Sequence, residues 1–156
     1  MKGKPEVLKV LQEMLKEELG AINQYIMHSE MCENWGYERL AKHIKKESIN
    51  EMTHAEKLVE RILFLEGSPS LSELPKLNIG KDVKQQLEND LVLEKGAVAD
   101  YNEAVATCRK AGDNASADFL KVILADEEGH VDFIEEQLGL IEQIGLQNYL
   151  AQQIDE

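Results

Sequence analysis

Apolar residues recur at intervals of three and four positions along most of the chain, the spacing expected of helices that bury one face. The first predicted helix runs from Pro5 to about Asn34, and its apolar stripe is Leu8, Leu11, Leu15, Ile22 and Ile26. The second runs from Tyr37 to Glu66 and carries Leu40, Ile44, Leu58, Ile62 and Leu65 on one face. No segment alternates in the manner of a strand, so the pattern predicts an all-α protein.

The second half of the chain repeats this pattern. Asp82 is expected to cap a third helix that extends to about Ala111, with the stripe Val83, Leu87, Leu91, Val98, Val105 and Cys108. A fourth helix is predicted from Ala115 to about Leu138, where Gly139 should loosen it. A short fifth helix is expected within residues 146–154.

The connections between the helices predict how they are arranged. Breaks at residues 35–36 and 112–114 are short, whereas residues 68–81 form a long loop that contains Pro69 and Pro75. Extended chain covers roughly 3.3 Å per residue, so this loop is long enough to travel the length of a helix. The sequence therefore predicts one domain over residues 1–156, a four-helix bundle in which one long crossover makes the second and third helices parallel.

Acidic residues interrupt the apolar stripes near the middle of each predicted helix. The interior positions are Glu18, Glu51, His54, Glu94, Glu127 and His130. A buried carboxylate without a partner is strongly disfavoured, and no lysine or arginine lies at these interior levels. Divalent metal ions are the economical solution, and the set of four carboxylates and two imidazoles suits iron or manganese, and zinc less naturally.

The spacing of these residues strengthens this interpretation. In each half, the first glutamate precedes the second by 33 residues, and the two halves are offset by 76 residues. Each second glutamate is followed three residues later by a histidine on the same helix face, giving Glu51-x-x-His54 and Glu127-x-x-His130. Two such pairs, one from each half, suit a centre of two ions related by a pseudo-two-fold axis.

Other residues obey the same offset. Tyr25 and Tyr101 each follow a glutamate by seven positions, which suits hydrogen bonds to metal-bound carboxylates, although ordinary core tyrosines would show the same spacing. Asn50 and Asp126 either orient the histidines or are solvated, and the second alternative is favoured. The paired cysteines, Cys32 and Cys108, are expected to be free thiols at opposite ends of the bundle.

The net charge of -13 excludes several kinds of partner. Nucleic acids and anionic membrane surfaces both require a cationic face, so neither is expected to bind. The first residues carry no apolar stretch of the kind found in signal peptides, and no apolar run is long enough to cross a bilayer. These features predict a cytoplasmic protein.

Over essentially its whole length the chain resembles the bacterioferritins. The resemblance is carried by Glu18, the run Glu51-Met52-Thr53-His54, Glu94, and the run Asp126-Glu127-Glu128-Gly129-His130. It implies a ferritin-like bundle in which two iron ions per subunit are bound by the six interior residues. It also implies a ferroxidase that oxidises Fe(II) with O2 or H2O2 and stores Fe(III) mineral inside a cage of 24 subunits built from two-fold dimers.

The same resemblance implies haem b between two subunits, with Met52 of each as an axial ligand to the haem iron. A ferredoxin-type electron donor for iron release is a further implication. Some family members carry an additional iron site on the inner surface, but this chain has Lys46 and Asn50 at the corresponding positions and retains only Glu47.

Two other functions remain compatible with the residues alone. One is a different di-metal enzyme on the same bundle, such as a rubrerythrin-type peroxidase or a manganese catalase. Rubrerythrins normally carry a Cys-x-x-Cys iron module, which this sequence lacks. The other is a protein that holds metal only structurally, within an assembly or a haem-carrying module.

Overall fold

The computed structural model describes residues 1–155, and their architecture is all-α. The five helices are α1 (Pro5–Asn34), α2 (Glu38–Phe64), α3 (Val83–Lys110), α4 (Asn114–Ile144) and α5 (Leu146–Ala151). The predicted fold class, four long helices and a short C-terminal fifth, is confirmed. One boundary was wrong, because α4 continues through Gly139 to Ile144. A single glycine costs a helix only about 1 kcal/mol, and the packing of Ile141 on the core offsets that cost.

Short-range hydrogen bonds define where the helices begin and end. The Asp82 side chain accepts a hydrogen bond from the backbone N–H of Gln85, as the sequence predicts for the start of α3. Asp113 accepts from Ser116 in the same way and caps α4. Gly145, with a φ of 84°, adopts the left-handed region between α4 and α5, which a residue without a Cβ enters at little cost.

The long crossover runs alongside α1. Ser70 near its beginning exchanges two hydrogen bonds with the side chain of Gln12, and the backbone N–H of Gly80 near its end donates to His28. The loop therefore follows α1 from its N-terminal third towards its C-terminal end before α3 starts. Since α2 runs antiparallel to α1, this path makes α2 and α3 parallel, as predicted.

The apolar core is divided into two clusters. One surrounds Leu11, Leu58 and Leu120, and the other surrounds Ile44, Leu87 and Ile134. The two cysteines are free and buried, and each belongs to a different cluster, so they are far apart as expected. The level between the clusters is the level of the acidic side chains.

The α1 stripe was extended one residue too far in the sequence interpretation. Ile26 is 49% exposed, because it lies on the flank of α1 rather than on the buried face that carries Leu11 and Leu15. Within residues 1–155, no helix combines the length and the apolar character needed to cross a membrane.

Candidate metal centre

The structure brings all six predicted interior residues together at the middle of the bundle. Their side chains are between 0 and 9% exposed, and they come from the four long helices: Glu18 from α1, Glu51 and His54 from α2, Glu94 from α3, and Glu127 and His130 from α4. Apolar layers lie on both sides of this level. The neighbourhood therefore has the low polarity in which uncompensated charge is most costly.

The donor atoms form two overlapping groups. Within each group the atoms lie no more than 4.8 Å from one another, and the groups are Glu18, Glu51, His54 and Glu127, and Glu51, Glu94, Glu127 and His130. Two glutamates, Glu51 and Glu127, belong to both groups, so they are placed to bridge two ions. Each group adds one further glutamate and one histidine, which is the symmetry indicated by the offset of 76 residues.

Many of these buried atoms have no hydrogen-bond partner within the described residues. They include one oxygen each of Glu18, Glu51 and Glu94, both oxygens of Glu127, and the Nδ1 atoms of both histidines. Buried polar groups are normally hydrogen-bonded, so a cluster of unpartnered acceptors on one centre requires a cation. The arrangement fits two divalent ions, since carboxylate oxygens and imidazole nitrogens are the ligands such ions use.

His54 is oriented by a carboxylate outside the centre. Its Nδ1 atom lies 3.0 Å from Oε1 of Glu127, and its Nε2 atom lies 2.9 Å from Oδ2 of Asp126. A proton on Nε2, donated to Asp126, leaves the lone pair of Nδ1 directed at the centre. The alternative favoured from sequence, a purely solvated Asp126, was wrong: the residue is exposed, but its carboxylate still reaches the histidine.

His130 has different outer neighbours. Its Nδ1 atom faces the centre, 3.0 Å from Oε1 of Glu51, while its Nε2 atom lies 2.6 Å from Oε2 of Glu47 and 2.9 Å from the Asn50 side-chain amide. Asn50 therefore contacts a histidine and is not merely solvated. Glu47 accepts the Nε2 proton here, so each histidine has one outer carboxylate, although the two carboxylates occupy different sequence positions.

Both predicted tyrosines donate to carboxylates of the centre. Tyr101 donates to Oε1 of Glu18 over 2.5 Å, and Tyr25 donates to Oε1 of Glu94. Burial, together with these carboxylates, raises the pKa of both tyrosines well above its usual value. They therefore stay protonated and remain hydrogen-bond donors.

The centre attracts protons when it holds no metal. Burial alone would lower the pKa of His54, but Glu127 and Glu18 raise it to about 10. Burial and the neighbouring Glu127 raise the pKa of Glu94 to about 8, and burial and Glu18 raise that of Glu51 well above its usual value. Metal must displace these protons in order to bind.

Comparison with known proteins agrees with this geometry. The ferritin-like domain family matches residues 8–144. A bacterioferritin of Brucella melitensis is 49% identical over 149 residues, which cover 96% of this chain and 92% of that protein. A bacterial ferritin of Synechocystis is 48% identical over 155 residues, 99% of both chains, and the bacterioferritin BfrA of Mycobacterium tuberculosis is 43% identical over 152 residues, 97% and 96% of the two chains.

The chain belongs to the bacterioferritin family.

A cavity of about 200 Å³ leads to the centre of this bacterioferritin from the side of the crossover loop. Three of the interior glutamates, Glu18, Glu51 and Glu127, form part of its lining, and Pro75 lies among the loop residues on its other side. Glu17 also lines it, and the pKa of this residue is raised to about 9 by burial and by contact with the Asp100 carboxyl. Sequence reasoning missed both residues, because neither lies on an apolar stripe.

A second buried polar cluster was also missed. Asp90 accepts hydrogen bonds from Nε2 of Gln24 (2.8 Å) and from Nδ1 of His28 (3.0 Å). Because Nε2 of His28 accepts from the backbone N–H of Gly80, the ring proton must sit on Nδ1. The cluster joins α1, α3 and the crossover loop. Its one sequence signal is that Asp90 lies one turn before Glu94 on α3.

Met52 lies apart from the centre, on the outer surface of α2. It is 45% exposed, and Ile49 one turn away is 52% exposed. Ser48 donates to the backbone carbonyl of Ile22, so this part of α2 packs beside the flank of α1 that exposes Ile26. The thioether of Met52 is thus available on a surface with several apolar neighbours, as expected of half of a two-fold haem site.

Proposed function

We propose that this bacterioferritin stores iron by oxidising Fe(II) at the six-residue centre, as a single ferritin-like domain spanning residues 1–156. The observation that carries the proposal is the overlap of two ligand groups, which share Glu51 and Glu127 and leave buried carboxylate oxygens without partners. Full-length similarity to bacterioferritins supports iron storage as the general role. The six ligands would be Glu18, Glu51, His54, Glu94, Glu127 and His130.

Charge balance explains why this site suits Fe(II) as substrate. Four ionised carboxylates carry four negative charges, which two Fe(II) ions neutralise, so the buried centre is close to neutral when filled. Transfer of one electron from each ion to O2 or H2O2 leaves two excess positive charges in the same low-polarity site. That excess favours binding of hydroxide and release of Fe(III) towards storage.

The protein residues have distinct tasks in this scheme. Glu51 and Glu127 hold the two ions at a fixed separation, and the histidines are kept in the metal-binding tautomer by Asp126 and Glu47. The hydroxyls of the two tyrosines fix the remaining glutamates. The apolar layers above and below limit the access of water and other reductants to the bound ions.

Fe(II) oxidation by adjacent glutamate variants tests the proposal. Glu127→Ala removes a bridging carboxylate, and Glu128→Ala removes an exposed carboxylate one residue away. In stopped-flow absorbance with two Fe(II) per subunit, we expect Glu127→Ala to lose the fast phase, a decrease of about 100-fold or more, and Glu128→Ala to retain it. Wild-type rates for Glu127→Ala would rule out the centre as the site of oxidation.

The assembly and the haem complete the proposal. We propose a homo-oligomeric 24-subunit cage in the cytoplasm, built from two-fold dimers in which two Met52 thioethers bind one haem b, with a ferredoxin-type protein as electron donor for iron release. Bound haem would supply a one-electron redox centre. A native mass near 24 times the 17.6 kDa subunit is expected, and Met52→Leu should abolish the Soret band without altering that mass. A dimer-sized particle would instead favour a di-metal peroxidase or catalase.

A further inference from the structure

The cavity that reaches the centre is continuous in composition with a second, outer pocket. The outer pocket has a volume of about 490 Å³ and lies between α1 and α3. Four acidic residues contribute to its lining: Glu13, Glu17, Asp100 and Glu103. Glu17 and Pro75 belong to both linings, so they mark the position where the outer pocket meets the inner cavity.

Glu17 is the carboxylate at this boundary. Its side chain is partly buried, its Oε2 atom has no hydrogen-bond partner within residues 1–155, and its carboxyl contacts that of Asp100. Lys16 and Lys76 line the outer pocket and the inner cavity, respectively, but neither forms an ion pair with these carboxyls in the described part of the chain. Two carboxylates in contact repel each other unless a cation or a proton lies between them.

The inner end of the cavity supplies an independent indication of a cation path. Glu18 is 2% exposed and Glu127 is fully buried, both line the cavity, and oxygens of both lack hydrogen-bond partners among the described residues. The cavity therefore leads from one unpartnered carboxylate at its mouth to others at its end.

We propose that Glu17 and Asp100 form a transit site for a divalent cation, Fe(II) in the working protein, between the outer pocket and the di-iron centre. The inference depends on the proposed ferroxidase function for the identity of the ion, but not for the existence of the site.

The composition of this site suits transit rather than storage. Two carboxylates without a histidine, completed by water in an open pocket, bind a divalent ion more weakly than the four-residue groups of the centre. Conduction requires such weak intermediate sites, since an ion must leave as readily as it arrives. Glu17 and Glu18 are consecutive, so an ion released by the first carboxylate meets the second at the inner end of the same cavity.

Crystals of the assembled protein soaked in Mn(II) test for the site directly. Mn(II) resists oxidation by air, and its anomalous scattering locates it. We expect a peak between the Glu17 and Asp100 carboxyls in the wild type, its loss in Glu17→Gln, and its retention in Glu13→Gln, which removes an equal charge one turn away. Absence of the peak from wild-type crystals whose di-iron centre contains Mn(II) would overturn the proposal.

Fe(II) oxidation kinetics test whether the site lies on the path. At substoichiometric Fe(II), we expect Glu17→Gln and Asp100→Asn to slow the fast phase about five- to tenfold, with its amplitude unchanged and Glu13→Gln close to wild type. Equal slowing in all three variants would reduce the effect to general surface charge and overturn the proposal. If the wild type oxidised no Fe(II), the proposed function would fail, while the Mn(II) peak would still decide whether the cation site exists.

Discussion

Tyr101 on α3 donates a 2.5 Å hydrogen bond to Glu18 on α1, and both side chains are buried. The reciprocal pair, Tyr25 on α1 and Glu94 on α3, crosses between the same two helices in the opposite sense. Glu18 and Glu94 are the two glutamates that belong to only one ligand group. The carboxylates that do not bridge are thus fixed by hydrogen bonds from the opposite helix.

Tyr101→Phe should weaken metal binding without unfolding the protein. The loss of this hydrogen bond frees Glu18 to change rotamer, and we expect the affinity of its ligand group to fall about tenfold. Anaerobic Zn(II) competition with a chromophoric chelator measures this change. Tyr149→Phe is the matched control, because Tyr149 is equally buried and donates to Gln137 far from the centre. Similar affinity losses in both variants would show a general packing effect instead.

Asp126→Asn should affect only one of the two ions. A carboxylate that accepts the Nε2 proton of His54 makes that imidazole a stronger metal ligand than an amide acceptor would. In an anaerobic Co(II) titration followed by visible absorption, we expect one of two binding steps to weaken about tenfold and the other to stay unchanged. Asp132→Asn, an exposed substitution on the same helix, should alter neither step. Weakening of both steps to the same extent would contradict this assignment.

The sequence predicted the bundle, its crossover and the level of the acidic residues because these features depend on periodicity. A helix that buries one face must repeat every three to four residues, and Glu18 or Glu94 is conspicuous where that repeat calls for an apolar side chain. The offset between the two halves needed no structure. Two-fold symmetry of the ligand groups follows from that repetition.

Features that depend on side-chain reach or on loop packing could not be predicted in the same way. Asp126 is exposed and yet contacts His54, which periodicity cannot distinguish from full solvation. The contact between Glu17 and Asp100 joins two helices at positions outside the apolar stripes, and the path of the crossover over Gly20 becomes evident only when the chain is folded.

The metal-free protein should lose stability as pH rises, owing in part to Glu94. The pKa of this residue is about 8 in the folded protein against an ordinary value of 4.5. Its contribution to stability is therefore fully present below about pH 4.5 and is lost as pH rises through about 8. His54, with a pKa of about 10, acts in the same direction at higher pH.

Glu94→Gln tests this linkage, because glutamine cannot ionise but still accepts the hydrogen bond from Tyr25. In urea unfolding with chelator present, we expect the variant to match the wild type near pH 5 and to exceed it by at least about 1 kcal/mol near pH 8.5. Exposed Glu128→Gln should show no such pH-dependent difference. Saturating Zn(II) should reverse the order, since the variant lacks a ligand. A variant less stable than the wild type at both pH values without metal would refute the linkage.

Gly20 allows the crossover to pack against α1, and replacing it should be costly. A Cβ atom at this position would lie 2.4 Å from Cγ and 2.8 Å from Cδ of Pro75, whose ring cannot rotate away as a flexible side chain would. We therefore expect Gly20→Ala to destabilise the protein by about 1–3 kcal/mol, despite the higher helix propensity of alanine. Gly96→Ala is the matched control, since a Cβ there meets no atom within 4 Å and the same gain in propensity should stabilise α3 slightly. The two variants should therefore shift the urea midpoint in opposite directions. Because Pro75 also lines the cavity, a displaced loop should change the Fe(II) oxidation rate in Gly20→Ala alone. Two equal, small stabilisations would mean that the loop yields without cost, and that its contact with α1 contributes little to the fold.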